Sequence, residues 1–436
     1  MLFANIDYLT PDFEIAHGFI GTEGSRIIYV GACDPVGTPA FLTTDFGERY
    51  DGSGKLLLPG LYNTHTHAPM TLLRGYGENL VLQDWLYKRI FPFEAKITDG
   101  YAQPATLLAI AEMLRFGTVS FTDMYYNNGA RIAAIQTSGI KCNLCGGVMV
   151  FDQEKRLEDM PDYEMNKALV RDYHGAFDGR LRIDLNIHSE YISNPYVVRS
   201  IGELALDMGV NTHTHISETK LEHEECKQRR GGLTPVAYFD SLDFFVAPCT
   251  AAHCVWTEAG DWEIMAARGV TAVANPASNM KLASGFAPVP EMLAAGVNIG
   301  LGTDGMASNN NHNLLKELYL LGLISKGATG DPTVVTPAQA LATATVNGAR
   351  SQGRADGGRI AEGCAADVAV LDVNTPWMTP VHDQLSNLIF AAQGSDVVLT
   401  MVDGVVLYRD GSWPTIDVEK ALAETQAAAD TIVASL

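Results

Sequence analysis

The sequence predicts an α/β chain: a TIM-like (β/α)8 barrel with a small β-sandwich domain built from both chain ends. Three observations carry this. Eight short apolar runs between about residue 57 and residue 345 alternate with amphipathic helical stretches, the pattern of one parallel barrel. Several of those stretches (ATLLAIAEMLRFG, YVVRSIGELALDMG, WEIMAARG, EMLAAG) close on glycine, as helix C-caps do. The two ends hold short strand-like pieces with turns instead.

In chain order, residues 1–56 form the N-terminal part of the small β domain and include RIIYVGAC. Residues 57–358 form the barrel, with the runs LLLPGLYNTH, TVSFTDM, IKCNLCGGV, LRIDLNIHS, VNTHTHIS, CTAAHCV, VTAVANP and VNIGLGTD as its strands. Residues 359–436 return to the β domain through AADVAVLDV and DVVLTMVDGVVLYRDG and end in an amphipathic helix, VEKALAETQAAADTIVASL.

The balance of 30 Lys and Arg against 51 Asp and Glu, a net charge of -21, excludes nucleic acid as a partner, because phosphate binding needs a basic surface. No apolar stretch reaches the roughly 20 residues of a membrane span, and MLFANIDYLTPDFE lacks the basic start and apolar middle of a signal peptide. The expectation is a cytoplasmic enzyme with no membrane partner. Seven scattered cysteines argue against a disulfide framework. Cys142-Asn-Leu-Cys145 matches C-x-x-C, but it lies in an apolar run and no second pair follows, so both thiols are expected to be buried and structural.

Barrel chemistry sits at the C-terminal ends of the strands. His65 and His67 end the first run, and residues two apart on a strand share a face, so both rings reach one point. Alone, H-x-H is equally well a pair of core histidines. The fifth run, however, ends in His213-Thr-His215-Ile-Ser-Glu218, the sixth in His253 and the eighth in Thr303-Asp304-Gly305. Imidazoles and a carboxylate at four strand ends suit one divalent ion, zinc first, with Fe2+ and Mn2+ satisfied by similar ligands.

Pro59-Gly60-x4-His65-x-His67, His215-x-x-Glu218, His253 and Thr303-Asp304-Gly305 resemble the amidohydrolase superfamily over nearly the whole chain. NTHTHAPMTLLRG, the tryptophan of DWL, the glutamate of FPFEAKI and NPASNMKLASGFAPVPEMLAAGVNIGLGTDGMASNNN are similar to 5′-methylthioadenosine/S-adenosylhomocysteine deaminases. The resemblance implies a metal held by His65, His67, His215 and Asp304, with Asp304 also taking a proton from water. It implies that His253 orients the attacking water and that Glu218 shuttles protons to the ring nitrogen and the leaving amine. His213 competes for the metal on the same strand face, but the H-x-x-E spacing favours His215. The resemblance further implies Glu94 on ribose hydroxyls, Trp85 near the sugar or its 5′ substituent, and His188 and Ser308 at the substrate, with a dimer or tetramer as the assembly. Glu94 on a helix, Trp85 in the core and Glu218 as a solvated helix-start residue are the structural alternatives.

The expected function is thus hydrolytic deamination of adenosine-type nucleosides (adenosine, 5′-methylthioadenosine, 5′-deoxyadenosine or S-adenosylhomocysteine). The alternatives are guanine or pterin deamination, triazine chlorohydrolysis on the same single-metal scaffold, and a non-catalytic metal-binding barrel. The fourth run lacks the lysine that bridges two-metal relatives. His188-Ser-Glu190 with Pro248-Cys249 fails the cytidine deaminase pattern, since Cys254 comes five residues on instead of three. Members acting on S-adenosylhomocysteine offer an arginine after the third strand. Here that region reads GGVMVFDQEKRLEDM, and whether Lys155 or Arg156 takes that role is left open by the sequence.

Overall fold

The computed structural model describes residues 1–80 and 82–436. Five strands precede the barrel: β1 (Leu2–Leu9), β2 (Ile15–Glu23), β3 (Arg26–Gly31), β4 (Arg49–Asp51) and β5 (Lys55–Pro59). The barrel strands are β6 (Leu61–His67), β7 (Thr118–Met124), β8 (Lys141–Cys145), β9 (Leu181–Asn186), β10 (Thr212–Ile216), β11 (Cys249–His253), β12 (Thr271–Ala274), β13 (Asn298–Leu301) and the short β14 (Asp304–Gly305). Three more follow: β15 (Val368–Asp372), β16 (Val397–Val402) and β17 (Val405–Arg409).

Among the described residues, β6 to β14 form one nine-stranded parallel sheet in the order β13-β12-β11-β10-β9-β8-β7-β6-β14. It curls until its ends meet: Thr64 Oγ1 on β6 donates to the Leu301 carbonyl on β13 at 2.9 Å, and Asp304 of β14 pairs with Thr66. Helices such as Asp99–Arg115 and Pro195–Met208 cover the outside, the latter opened by Asn194, whose side chain accepts from the Val197 N–H, and closed by Gly209 at φ +68. This is the barrel that the eight runs predict.

The end strands make a second, eight-stranded sheet in the order β17-β16-β15-β5-β1-β2-β3, with β4 beside β1. The seam between the two chain ends is the antiparallel pair β5 and β15, from Val368 opposite Pro59 to Asp372 opposite Lys55. Both faces of this seam are covered, so its residues divide by the period of two. Leu57, Val368 and Val370 enter a small core with Phe3, Ile20 and Met401. Leu56, Leu58, Ala369 and Leu371 face the barrel's own core. The run LLLPGLYNTH therefore serves both sheets and changes hands at Gly60, where an added Cβ would collide with Val119 of β7.

The C-terminal helix Val418–Ala434 places Ala428 and Ile432 in a third cluster with Met70, Trp85, Phe93 and Tyr125, under the segment that follows β6. Cys142 and Cys145 lie buried in β8. No helix among the described residues is long and apolar enough to cross a membrane.

Candidate active site

The C-terminal ends of β6, β10, β11 and β14 converge on one point. His65, His67 and His215 bring ring nitrogens within 4.8 Å of one another, and His65, His253 and Asp304 meet the same limit. Each ring is oriented from behind. His65 Nδ1 bonds His213 Nε2 at 2.9 Å, His67 Nδ1 donates to the Met124 carbonyl, and His215 Nδ1 donates to the His188 carbonyl at 2.7 Å. With Nδ1 so occupied, each ring in its neutral form turns its Nε2 lone pair inward, the usual support of a metal-ligating imidazole.

The inward atoms are acceptors facing acceptors. His65 Nε2 and His67 Nε2 stand 3.3 and 3.2 Å from Asp304 Oδ1, and His67 Nε2 stands 3.4 Å from His215 Nε2. His65 Nε2 is buried with no hydrogen bond of acceptable geometry. A buried polar atom without a partner is costly, and these separations match the edges, about 3.3–3.4 Å, of a tetrahedron with metal–ligand bonds of about 2.0–2.1 Å. The residues fit a divalent cation. Burial would raise the Asp304 carboxyl, but the close approach of the His65 and His67 rings outweighs it and holds the group well below the usual carboxylate range. Its other oxygen, Oδ2, accepts from Ser278 Oγ at 2.6 Å and Ser308 Oγ at 2.8 Å. Asn309 Nδ2 ties the Thr303 carbonyl to Glu317, at 2.7 and 2.9 Å, and so steadies the loop.

Ser217, His253 and Asp304 adopt left-handed backbone at φ +49, +73 and +58. Such positions cost of order 1–3 kcal/mol for residues other than glycine and gather at functional sites. The turn at Ser217 re-aims the chain so that Glu218 precedes the helix Lys220–Arg229 and is not part of it. Glu222, in that helix's first turn, holds the turn by accepting from the Ser217 and Glu218 N–H groups at 2.9 and 2.8 Å. Glu218 Oε2 reaches 3.7 Å from His253 Nε2. Burial raises the Glu218 carboxyl above its ordinary value even though His253 opposes the shift. His253 Nδ1 is anchored on Asn279 Oδ1 at 2.8 Å.

A cavity opens over this cluster, the concave kind of site in which small organic ligands bind. Of the ten site residues predicted from sequence, nine line it: His67, Trp85, Glu94, His188, His215, Glu218, His253, Asp304 and Ser308. His65 lies just beneath, fully buried. Glu94 does end a helix, Phe91–Glu94, and Trp85 is core-packed, and both residues also line the cavity. Glu94 Oε1 accepts from Tyr125 Oη at 2.7 Å, and burial raises its carboxyl. Burial, reinforced by the neighbouring His67, His65 and His253, pushes His188 down to about 3 and keeps it neutral. Arg156 stacks on Tyr196 at 4.6 Å and does not line the cavity. Sequence reasoning missed Tyr125, Asn186, Tyr191, Ser278 and Asn279. The tyrosine pair directly after TVSFTDM, at a strand's C-terminal end, is the signal that would have found Tyr125.

Residues 56–407 match the amidohydrolase family. A 5-methylthioadenosine/S-adenosylhomocysteine deaminase of Dictyoglomus thermophilum is 41% identical over 378 residues, covering 86% of this chain and 87% of that one. A 5′-deoxyadenosine deaminase of Methanosarcina mazei is 41% identical over 412 residues, 94% of each. Among solved structures, an adenosine deaminase from Xanthomonas campestris with bound zinc superposes with a TM-score of 0.92 at 28% identity, covering 99% of this chain and 98% of that one.

Proposed function

We propose, because this chain belongs to the amidohydrolase family and gathers six ionisable groups at one barrel mouth, that it is a metal-dependent hydrolytic deaminase of adenosine-type nucleosides. Water adds its oxygen to the amine-bearing ring carbon, the carbon–nitrogen bond breaks, and ammonia leaves a hypoxanthine ring. The observation that carries this reading is the convergence of Nε2 lone pairs and a carboxylate beside Glu218, under the cavity at the barrel mouth.

His65, His67, His215 and Asp304 would hold the ion. Zinc is the assignment, since short donor separations and three imidazoles with one carboxylate suit it and the Xanthomonas relative binds it. When bound, such an ion acts as a Lewis acid that lowers the pKa of water toward about 7. His213 is not among the ligands: its Nε2 already bonds His65 Nδ1 from behind.

The chain's own groups do the rest. Asp304, its Oδ2 held by two serine hydroxyls, accepts a proton from the attacking water through a fixed carboxylate. His253, locked on Asn279, directs that water with Nε2. Glu218, whose raised carboxyl keeps a proton more readily than an exposed glutamate, protonates the ring nitrogen beside the reacting carbon and then the departing amine. General acid–base work of this kind contributes about 10²–10⁴-fold. Glu94 accepts the ribose hydroxyls while Tyr125 holds its other oxygen, a charge-assisted contact of the strong class. Trp85 packs against the sugar and its 5′ group, neutral His188 faces the purine, and Ser308 borders the substrate while fixing Asp304.

The test is ammonia release by the metal-loaded protein across adenosine, 5′-methylthioadenosine, 5′-deoxyadenosine, S-adenosylhomocysteine, guanine and aminotriazines. Release from the adenosyl compounds is expected. Release from guanine or a triazine alone would overturn the substrate and leave the hydrolytic chemistry standing.

A further inference from the structure

Asn186 is the last residue of β9, fully buried, and it lines the cavity. Its amide is fixed in one orientation. Oδ1 accepts the Gly147 N–H at 2.7 Å, which only an oxygen can do, so the NH2 group is the end left over. That Nδ2 has no hydrogen-bond partner among the described residues. Buried donors are almost always satisfied in folded proteins, and one left over in a binding cavity points to a partner that arrives with the ligand.

The position narrows what that partner is. Asn186 pairs with His213 in the β9–β10 register, and His188, two residues beyond the strand's end, lines the same cavity. In the reading above, Glu218 on the β10 side takes the ring nitrogen next to the reacting carbon, and Glu94 takes the ribose. Asn186, ending β9, and Gly147, just past β8, border the cavity where those two strands end. A purine there presents acceptor nitrogens that neither Glu218 nor Glu94 meets.

We propose that Asn186 is a substrate-binding residue, its Nδ2 donating a hydrogen bond to a purine acceptor nitrogen that takes no part in the reaction, N7 or N3. This rests on the adenosyl-deaminase reading. It makes the pocket selective for a ring with an acceptor on that edge, as a site that hydrogen-bonds its substrate rejects the analogue lacking the partner.

The experiment compares wild type and Asn186→Ala through competitive inhibition constants of three inert ligands, 6-methylpurine riboside and its 3-deaza and 7-deaza counterparts, against turnover of an adenosyl substrate. For the intact ring, the substitution is expected to weaken binding about tenfold, the worth of one buried hydrogen bond. For the deaza ligand that lacks the bonded nitrogen, wild type should already bind about tenfold worse and the substitution should change little. Whichever deaza ring behaves so identifies the acceptor. Asn186→Asp keeps an acceptor for the Gly147 N–H and, ionised, should share the binding loss, with circular dichroism showing that the variant is folded at the assay temperature. Equal losses on all three ligands would mean that Asn186 only shapes the wall or holds water, and would overturn the assignment alone. Absence of turnover of every adenosyl compound by wild type would overturn the functional reading, and this assignment with it.

Discussion

The two ends of the barrel both bury many polar groups, and they do so in opposite ways. At the N-terminal end, opposite charges meet. Lys141, first residue of β8, lies 2.6 Å from Asp367 and 2.7 Å from Asp403, which tether the barrel to the end sheet. Fully buried Arg354 donates to the carbonyls of Gly179, Arg180 and Cys142. At the C-terminal end, lone pairs face lone pairs: His65 Nε2 finds no hydrogen bond, and His253 and Asp304 sit in left-handed backbone. One end spends its polar groups on holding the fold. The other keeps them unsatisfied for a cation and a substrate, as expected where function overrides stability.

The largest effect should come at the upper end. Glu218→Gln is expected to lower kcat about 10²–10⁴-fold while metal content and melting temperature stay at the wild-type level; a fully active variant would remove Glu218 from the proton path. At the lower end the signature should invert. Lys141→Met leaves Asp367 and Asp403 without their cation and should cost about 3–5 kcal/mol in denaturant unfolding, with kcat of the folded enzyme unchanged. Equal losses of activity and stability in both variants would erase the contrast.

Glu94 lies at the edge of the comparison. In the role proposed for it, it binds ribose only when ionised, and burial raises its carboxyl. The active form is therefore lost as pH falls, and the acid limb of kcat/KM should sit above the ordinary carboxylate range. Glu94→Gln should raise KM about tenfold, one charge-assisted bond's worth, and remove that limb; an unaltered profile would place the limb on another group. The smallest effect is expected at Arg156, which stacks on Tyr196. Arg156→Ala should change kcat/KM less than about twofold for every substrate, as surface substitutions do. A selective loss with S-adenosylhomocysteine would show that this arginine swings in to meet its carboxylate.

How much of this was legible in the sequence follows from period and spacing. The eight runs stood out because parallel barrel strands are buried on both faces and read as continuous apolar stretches. The metal cluster stood out because strand ends concentrate imidazoles that no core needs. The change of sheet at Gly60 was hidden, since Leu56, Leu57 and Leu58 are apolar toward either core. Asn186 was hidden inside LRIDLNIHS, where a polar residue in a strand run carries no sign of facing a cavity. Ser278 and Asn279 come from the short helix Pro276–Lys281, and only folding brings them beneath Asp304 and His253.

Removal and return of the ion tests the central claim most directly. Protein stripped of divalent metal by a chelator, then assayed for ammonia from 5′-methylthioadenosine before and after adding zinc, should be inactive when stripped and recover on reloading, with Glu218→Gln regaining the metal but no activity. A stripped protein that releases ammonia as fast as the reloaded one would contradict the account.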